Sequence, residues 1–582
     1  MIINLEKAKK RGHTLKVNYN GREFYIHSKY DPINEAINTF KDINKYNADT
    51  IFVLFGGGLG YNLLQLYGII TEKSNVILIE PNKEIFSIAM QNSEYENVIN
   101  KKNVQIIIGE NIARFKYLLN NILNENQYRN IKMYKLNSYE NIYRSYFNEL
   151  ERVVKLYNDQ LLFHIDTANI LADKISENAI MNIYHIVNKG NSINKLKNVF
   201  KDKPAIIVSA GPSLEKNIDK LKYIQNKALI IAGVRTLKPL LQRGIKPHIL
   251  CNIDPNDIAY TLVEKYISND IPLITLIHSN NKLINNYKGK VVFTNDKYYE
   301  DLIYKLENEK YDIIESGGSV ANYSTAIANY LGCNPIVFIG QDLAYTDNKY
   351  HSDSASISEN KIDQNEKDLI KVKDIHGEDI LTSSSLYSFL CWFEEFIQKN
   401  NDKHFINATE GGVDIKGTNI MSLEDVIKRY CSCEFNPKNV IDSVVKYKYV
   451  SGDEINNKID VLNKIYDNLQ IIKECINENI NLSMKLVDYY NENIDVDINC
   501  VLNRMDEIDE LIESYKVENN LLVYCLQPSM INITLNYGEK INENEREASI
   551  RISKRNLGMY KARYEVILKM EHYLKRLIDK IC

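Results

Sequence analysis

Ser209, Gly211, Pro212 and Ser213 lie in "AIIVSAGPSLEKNIDKL" (205–221), where the apolar run Ile206, Ile207, Val208 breaks at Gly211 and Leu214, Ile218 and Leu221 recur at helical spacing. That order predicts a buried strand, a tight turn and a helix. The free amides of the helix start and the two serine hydroxyls suit phosphate oxygens, although Ser213 has a plainer reading as a helix cap. A second turn, Ser316, Gly317, Gly318 and Ser319, sits in "IIESGGSVANYSTAIANYLGCNPIVFIGQDLAY" (313–345). It precedes a helix with the stripe Val320, Ser324, Ile327 and Leu331, and then a strand, "PIVFIG", that delivers Gln341, Asp342 and Tyr345. In an open parallel sheet ligands collect beyond the carboxyl ends of the strands, so both turns and the acid are expected to converge on one edge.

Other strand ends add candidates. Arg235 in "AGVRTLKPL" suits a carboxylate or phosphate, or else a surface ion pair. Asp254 and Pro255 in "CNIDPND" offer an acid for ribose or a metal, or simply a turn starter, and Glu410, Gly411 and Gly412 would close the pocket. A separate glycine run, "VLFGGGLGYN" (53–62), sets Gly56, Gly58 and Gly60 between an apolar strand and a helix, with Glu80 at the end of the next strand. That is the layout of a second site, for a nucleotide or S-adenosylmethionine, or of a Rossmann-like turn that holds no ligand.

The elements that must position these residues divide the chain into four parts. Residues 1–150 open with a hairpin signal at Asn20-Gly21 and continue with three strands, "ADTIFVLF", "NVILIE" and "NVQIII", alternating with helical patterns. A helical bridge follows over 151–203. The span 204–420 carries seven candidate strands, "AIIVSA", "ALIIAGV", "HILCNID", "IPLITLI", "KVVFTND", "PIVFIG" and "HFINA", most of them separated by helices, hence a largely parallel sheet covered on both faces. Inside it, 344–380 is a polar insertion of lid-like length ending in a hairpin with His376-Gly377 at its turn. Residues 421–582 read as amphipathic helices that pack as a bundle or seat a partner. The fold class is therefore α/β, with two Rossmann-like, largely parallel sheet domains and a helical C-terminal domain.

Bulk composition excludes several classes. With 72 basic and 76 acidic side chains the 582-residue chain has a net charge of -4, and no basic face points to nucleic acid. Nine cysteines, an odd number set mostly in apolar or amphipathic stretches, favour reduced thiols in a cytoplasm. "CSC" at 431–433 lacks the further ligands that zinc needs. No apolar run reaches the ~20 residues of a membrane span, and the N-terminus turns charged before a signal-peptide core develops.

"SAGPSL", "ESGGSVANYSTAIANYLGCNPIVFIGQDLAY" and "INATEGGVDIKG" resemble the motifs of the Maf family, the motility-associated flagellin glycosyltransferases, whose core is similar to the bacterial CMP-sialic-acid transferases. The match covers most of 200–420, and the flanking regions agree in order with Maf proteins. The resemblance implies that Ser209, Gly211, Pro212 and Ser213 hold the CMP phosphate or ribose. Ser316, Gly317 and Ser319 would line the cytidine side, and Gln341, Asp342 and Tyr345 would orient the nucleotide or donor sugar. His351 in "KYHSD" matches a general-base histidine in a flexible segment, with His376 as competitor; His351 and Asp342 are thus the catalytic expectation. Histidine suits the role because its ordinary pKa lies near 6.5.

The implied reaction moves a nonulosonic acid of pseudaminic or legionaminic type from CMP to serine or threonine hydroxyls of flagellin. It needs no metal or other cofactor, and its partners are the CMP-sugar and flagellin. Two alternatives stand beside it. Archaeal hydroxymethylpterin diphosphokinases share the domain class and would use ATP and magnesium, with Asp254 and Asp342 as ligands. A non-catalytic flagellin-binding chaperone or scaffold would keep the fold without the chemistry.

Overall fold

The computed structural model describes residues 1–582 apart from 126–128, 190, 268–269, 357–360, 362–368, 447–448, 493 and 495. Two compact units emerge: Met1–Asp166 with Asn479–Asn503 and Pro528–Lys561, and Thr167–Glu478 with Arg504–Gln527 and Ala562–Cys582.

The first unit opens with a three-stranded antiparallel sheet, β1 (Ile2–Lys7), β2 (His13–Tyr19) and β3 (Arg22–Tyr25). Asn20 and Gly21 both take positive φ at the β2–β3 turn, as the hairpin signal requires. A parallel sheet follows, built of β4 (Ile51–Phe55), β5 (Asn75–Glu80), β6 (Val104–Ile108) and β7 (Ile131–Lys135) in the order β6-β5-β4-β7. β4 is buried throughout. Its alternate residues Ile51, Val53 and Phe55 enter one apolar cluster and Phe52 and Leu54 another, because successive side chains of a strand leave opposite faces.

The second unit is built on an eight-stranded sheet, parallel throughout: β8 (Ala205–Val208), β9 (Leu229–Gly233), β10 (Ile249–Asn252), β11 (Leu273–Leu276), β12 (Val291–Thr294), β13 (Ile336–Ile339), β16 (Phe405–Asn407) and β17 (Asn419–Ile420), with β14 (Ile370–Lys373) and β15 (Asp379–Thr382) forming a separate hairpin. The spatial order is β12-β11-β10-β9-β8-β13-β16-β17. All seven expected strands are present. The chain winds one way from β8 to β12, then crosses back by the helix Val320–Tyr330 to lay β13 beside β8. This reversal is the topological switch point, where the loops after two neighbouring strands part and leave a crevice.

The stretch after β8 departs from expectation. Instead of one α-helix it forms two 3-10 segments, Pro212–Lys216 and Ile218–Ile224. Asn217 breaks the path at φ -136°, and its buried Nδ2 donates to Ala408 O at 2.9 Å, drawing the chain off a helical axis. Leu214, Ile218 and Leu221 are nevertheless fully buried. The insertion hairpin forms as β14–β15, with Gly377 at positive φ, while 357–360 and 362–368 of the insertion lie outside the described residues. After Thr418 the main helices are Leu423–Tyr430, Pro437–Val444, Gly452–Tyr490, Ile498–Ser514, Lys516–Asn536 and Glu545–Ile581. No described helix is long and apolar enough to cross a membrane.

Candidate functional site

A cavity of about 170 Å³ lies at the carboxyl ends of β8, β9 and β10, next to the switch point. Ser209 and Ala210 follow β8, Arg235 and Thr236 follow β9, and Asp254 follows β10; Val320, Ala321 and Ser324 of the Val320–Tyr330 helix form the opposite wall. Ser209 Oγ donates to Gln341 Oε1 at 2.5 Å, which joins the ends of β8 and β13. Arg235 is half-buried, and among the described residues its guanidinium makes no hydrogen bond and no ion pair within 4 Å. Burial lowers its pKa, with the Asp254 charge acting in the opposite direction. A half-buried cation with unused donors among the described residues, with Asp254 the acid beside it, is a receptor for an anionic group.

Asp342 is 2% exposed, and Ser213 occupies both of its oxygens: Ser213 Oγ donates to Oδ1 at 2.5 Å and Ser213 N to Oδ2 at 3.1 Å. Burial raises its pKa, and the Ser213 hydrogen bonds resist the rise. The surrounding glycines exist for this contact. A Cβ at Gly211 would overlap the Asp342 carboxylate, and one at Gly412 would overlap the Asp342 backbone. Gly211 N also donates to Gly340 O at 2.8 Å, and Val413 N to Asp342 O at 2.8 Å. Gly211, Pro212, Ser213, Asp342 and Gly412 therefore form a clamp behind the crevice rather than its lining. Ser213 is neither an open phosphate donor nor a helix cap, and Asp342 holds the turn shut. Glu410 stands with this group, its Oε1 receiving Lys220 Nζ at 3.2 Å and its backbone oxygen receiving Lys216 Nζ at 2.8 Å.

The second turn reaches the crevice through the helix it starts. Ser319 caps that helix, its Oγ accepting from Asn322 N at 3.1 Å, and the next two residues line the cavity. Gly317, at φ +59°, packs beneath Trp392 and Asn322, and Asn322 Nδ2 donates to its carbonyl at 3.0 Å. Gly317 and Ser319 thus shape the helix start, and neither they nor Ser316 line the cavity.

His351 is brought to the first turn by its neighbours. Ser352 N donates to Ala210 O at 2.8 Å, and Ser354 N donates to Glu215 Oε1 at 2.9 Å. Arg243 holds the same Glu215 through Oε2 at 2.5 Å. Burial lowers the His351 pKa to about 4, and the Arg235 charge adds to the effect, so the imidazole is neutral at pH 7. Tyr345 is buried edge-on against Tyr350, ring centroids 5.2 Å apart. His376 stands at the exposed β14–β15 turn, its N–H donating to Asp374 Oδ1 at 2.8 Å. Thr236, Leu262 and Ser324 in the wall and Ser352 at the tether were not anticipated. Thr236 sits one residue beyond Arg235 at a strand end, a position that is itself the signal; Ser352 has no such signal.

In the first unit the glycine turn is filled from within. Glu80, 0% exposed, accepts from Gly57 N at 3.0 Å and Gly58 N at 3.1 Å through Oε2, from Tyr139 OH at 2.6 Å through the same oxygen, and from Asn82 N at 2.8 Å through Oε1. Leu59 N donates to His27 Nε2 at 2.8 Å. A Cβ at Gly56 would meet Tyr139 at 2.8 Å, and those at Gly58 and Gly60 would overlap His27 and Tyr95. The amides a nucleotide would need are already satisfied, so Gly56, Gly58, Gly60 and Glu80 form a packed corner, not an open second site. Burial carries the Glu80 pKa up to about 7 and the His27 pKa down to about 3.

These two shifts have opposite signs in stability. The Glu80 contribution is present below the ordinary value of 4.5 and is lost as pH rises through about 7. The His27 contribution is present above 6.5 and is lost as pH falls toward about 3. Glu80→Gln removes the first alone, so the variant should gain stability relative to the parent between pH 5 and pH 8, by on the order of 2 kcal/mol. Chemical denaturation across that pH range checks it; a constant difference would contradict the raised pKa of the buried Glu80.

A family model described as 6-hydroxymethylpterin diphosphokinase MptE-like matches residues 177–348. Curated proteins yield no match in sequence. Among solved structures, a Maf glycosyltransferase from Magnetospirillum magneticum AMB-1 is similar with a TM-score of 0.51 at 15% identity, covering 100% of this chain and 93% of that chain. The chain therefore has, along its whole length, the fold of a Maf glycosyltransferase.

Proposed function

We propose that the second unit transfers a nonulosonic acid from its CMP-activated form to serine or threonine hydroxyls of flagellin. The observation that carries this reading is Arg235, a half-buried guanidinium without a hydrogen-bond partner among the described residues, in a cavity at the switch point of a parallel sheet. In the reaction the acceptor oxygen forms a bond to the anomeric carbon while that carbon's bond to the phosphate oxygen breaks, the electron pair leaving with CMP. Arg235 and the Val320–Tyr330 helix start stabilise the growing phosphate charge. His351 accepts the hydroxyl proton; its pKa of about 4, below the ordinary 6.5, keeps it neutral at pH 7 but makes it a weaker base than a free imidazole. Positive charge comes from the chain itself, so the reading calls for no metal or other cofactor, and it belongs in the cytoplasm, where CMP-sugars and newly made flagellin meet.

The test is intact-mass analysis of flagellin incubated with protein and CMP-nonulosonate. The reading predicts a mass gain of one or more sugar residues. His351→Ala should retain CMP binding and lose transfer by about 10²-fold or more, and the parent's kcat/KM should fall only near pH 4. An unchanged flagellin mass with both substrates verified would remove the proposal.

The match to a pterin diphosphokinase model favours a second reading, diphosphate transfer from ATP. Its magnesium would need neighbouring carboxylates. Asp254 lines the cavity while Asp342 is engaged by Ser213, which weighs against that pair. Thermal shift with CMP against ATP and magnesium separates the two readings.

A further inference from the structure

The carboxyl edge of the sheet continues past the cavity to β11 and β12, where a second cluster stands in the same unit. Asp296, two residues beyond β12, accepts from Tyr524 OH at 2.6 Å through Oδ2 and from Tyr298 N at 2.9 Å through Oδ1. Tyr524 belongs to the Lys516–Asn536 helix, and its ring meets Tyr298 edge-on at 5.3 Å and His278 at 5.7 Å. His278 lies two residues beyond β11, near enough to Asp296 to feel its charge. The cluster adjoins the cavity: Asn280 N donates to the backbone oxygen of Asp254, a cavity residue, at 3.0 Å. With strands ~4.8 Å apart, β11 lies about 10 Å from β9, which carries Arg235.

Three neighbouring strand ends here hold polar atoms with no partner among the described residues. Asn252 Oδ1 at the end of β10, His278 Nδ1 after β11 and Asn295 Nδ2 after β12 are buried and unsatisfied, and Asn252 and Asn295 are 0% and 1% exposed. Charge separates this cluster from the cavity: Arg235 suits an anion, whereas the Asp296 carboxylate repels one. Partly buried tyrosine rings beside a carboxylate and an imidazole suit a neutral, hydroxyl-bearing chain.

We infer that Tyr298, Tyr524, His278 and Asp296 form the acceptor subsite, a shelf that seats the polypeptide bearing the hydroxyl beside the donor cavity. This rests on the transferase reading proposed above. Asp296 and Tyr524 hydrogen-bond polar groups of the acceptor, and the Tyr298 and Tyr524 rings pack along it.

The experiment measures binding of flagellin and of CMP separately to full-length parent, Tyr524→Phe and Asp296→Asn, with melting curves to verify folding. Both variants should bind flagellin about tenfold more weakly, one to two hydrogen bonds' worth, and raise the acceptor KM with kcat little changed. CMP affinity should equal the parent's. Tyr524→Phe keeps the ring and loses only the hydroxyl, so it remains informative if Asp296→Asn folds poorly. Flagellin affinity unchanged in a folded Tyr524→Phe variant, or no flagellin binding by the parent, would overturn the subsite. Failure of the parent to bind CMP would instead count against the transferase reading, since the acceptor arm does not use the nucleotide.

Discussion

Arg235→Met should lower transfer by about 10²-fold while leaving the second unit at least as stable as the parent. An anion held by charge-assisted hydrogen bonds gains about 3 kcal/mol as its charge grows in the transition state, and the rate follows that figure. Folding gains nothing comparable. The guanidinium is half-buried, burial lowers its pKa, and among the described residues no hydrogen bond offsets the desolvation. Exchanging it for an apolar side chain of similar length removes a cost rather than a contact. Arg235→Lys should recover part of the rate, since the charge returns without the planar fork. Steady-state kinetics beside denaturant titration measure both halves. A large loss of stability would make Arg235 a structural residue and leave the cavity without its anion receptor.

Asp342→Ala should do the reverse first, destabilising the second unit by about 3 kcal/mol, with loss of CMP affinity as the consequence. The substitution strands the hydroxyl and amide of Ser213, itself 0% exposed, and opens a gap behind glycines whose backbones are packed on Asp342. Asp342→Asn, which keeps one acceptor, should cost less. The quantity to follow is the denaturation midpoint of the second unit's transition. Full stability combined with abolished transfer would return Asp342 to the chemistry and refute the clamp.

Much of the architecture was legible because parallel, doubly covered strands write themselves as short apolar runs. All seven such runs in the middle of the chain became strands, and Asn20-Gly21 formed its hairpin. The strands that escaped notice are those with weaker signals. β7, "IKMYK", is half-buried along its whole length; β1 is largely exposed; β17 has two residues, both exposed. The 3-10 path after β8 escaped for another reason, since Asn217 is held by Ala408, 191 positions away.

Side-chain roles were legible only where a strand end alone decides them. Ser209, Arg235 and Asp254 reach the cavity because each follows a strand of the sheet. Gly211, Ser213, Asp342 and Gly412 read equally well as ligand-facing residues, yet all of the others meet Asp342, which lies 129 positions from Ser213. Glycine permits close approach, and nothing local says whether a ligand or a neighbouring side chain makes it. In the first unit the approach was made by Tyr139, His27 and Tyr95, so a turn shaped for a nucleotide is closed by its own protein.

Crystals soaked with CMP test the central claim most directly. The account predicts the nucleotide in the cavity at the ends of β8 to β10, its phosphate on Arg235 and its body against Ser209 and the first turn of the Val320–Tyr330 helix. CMP bound in the first unit's glycine corner, or an empty cavity at saturating CMP, would contradict it.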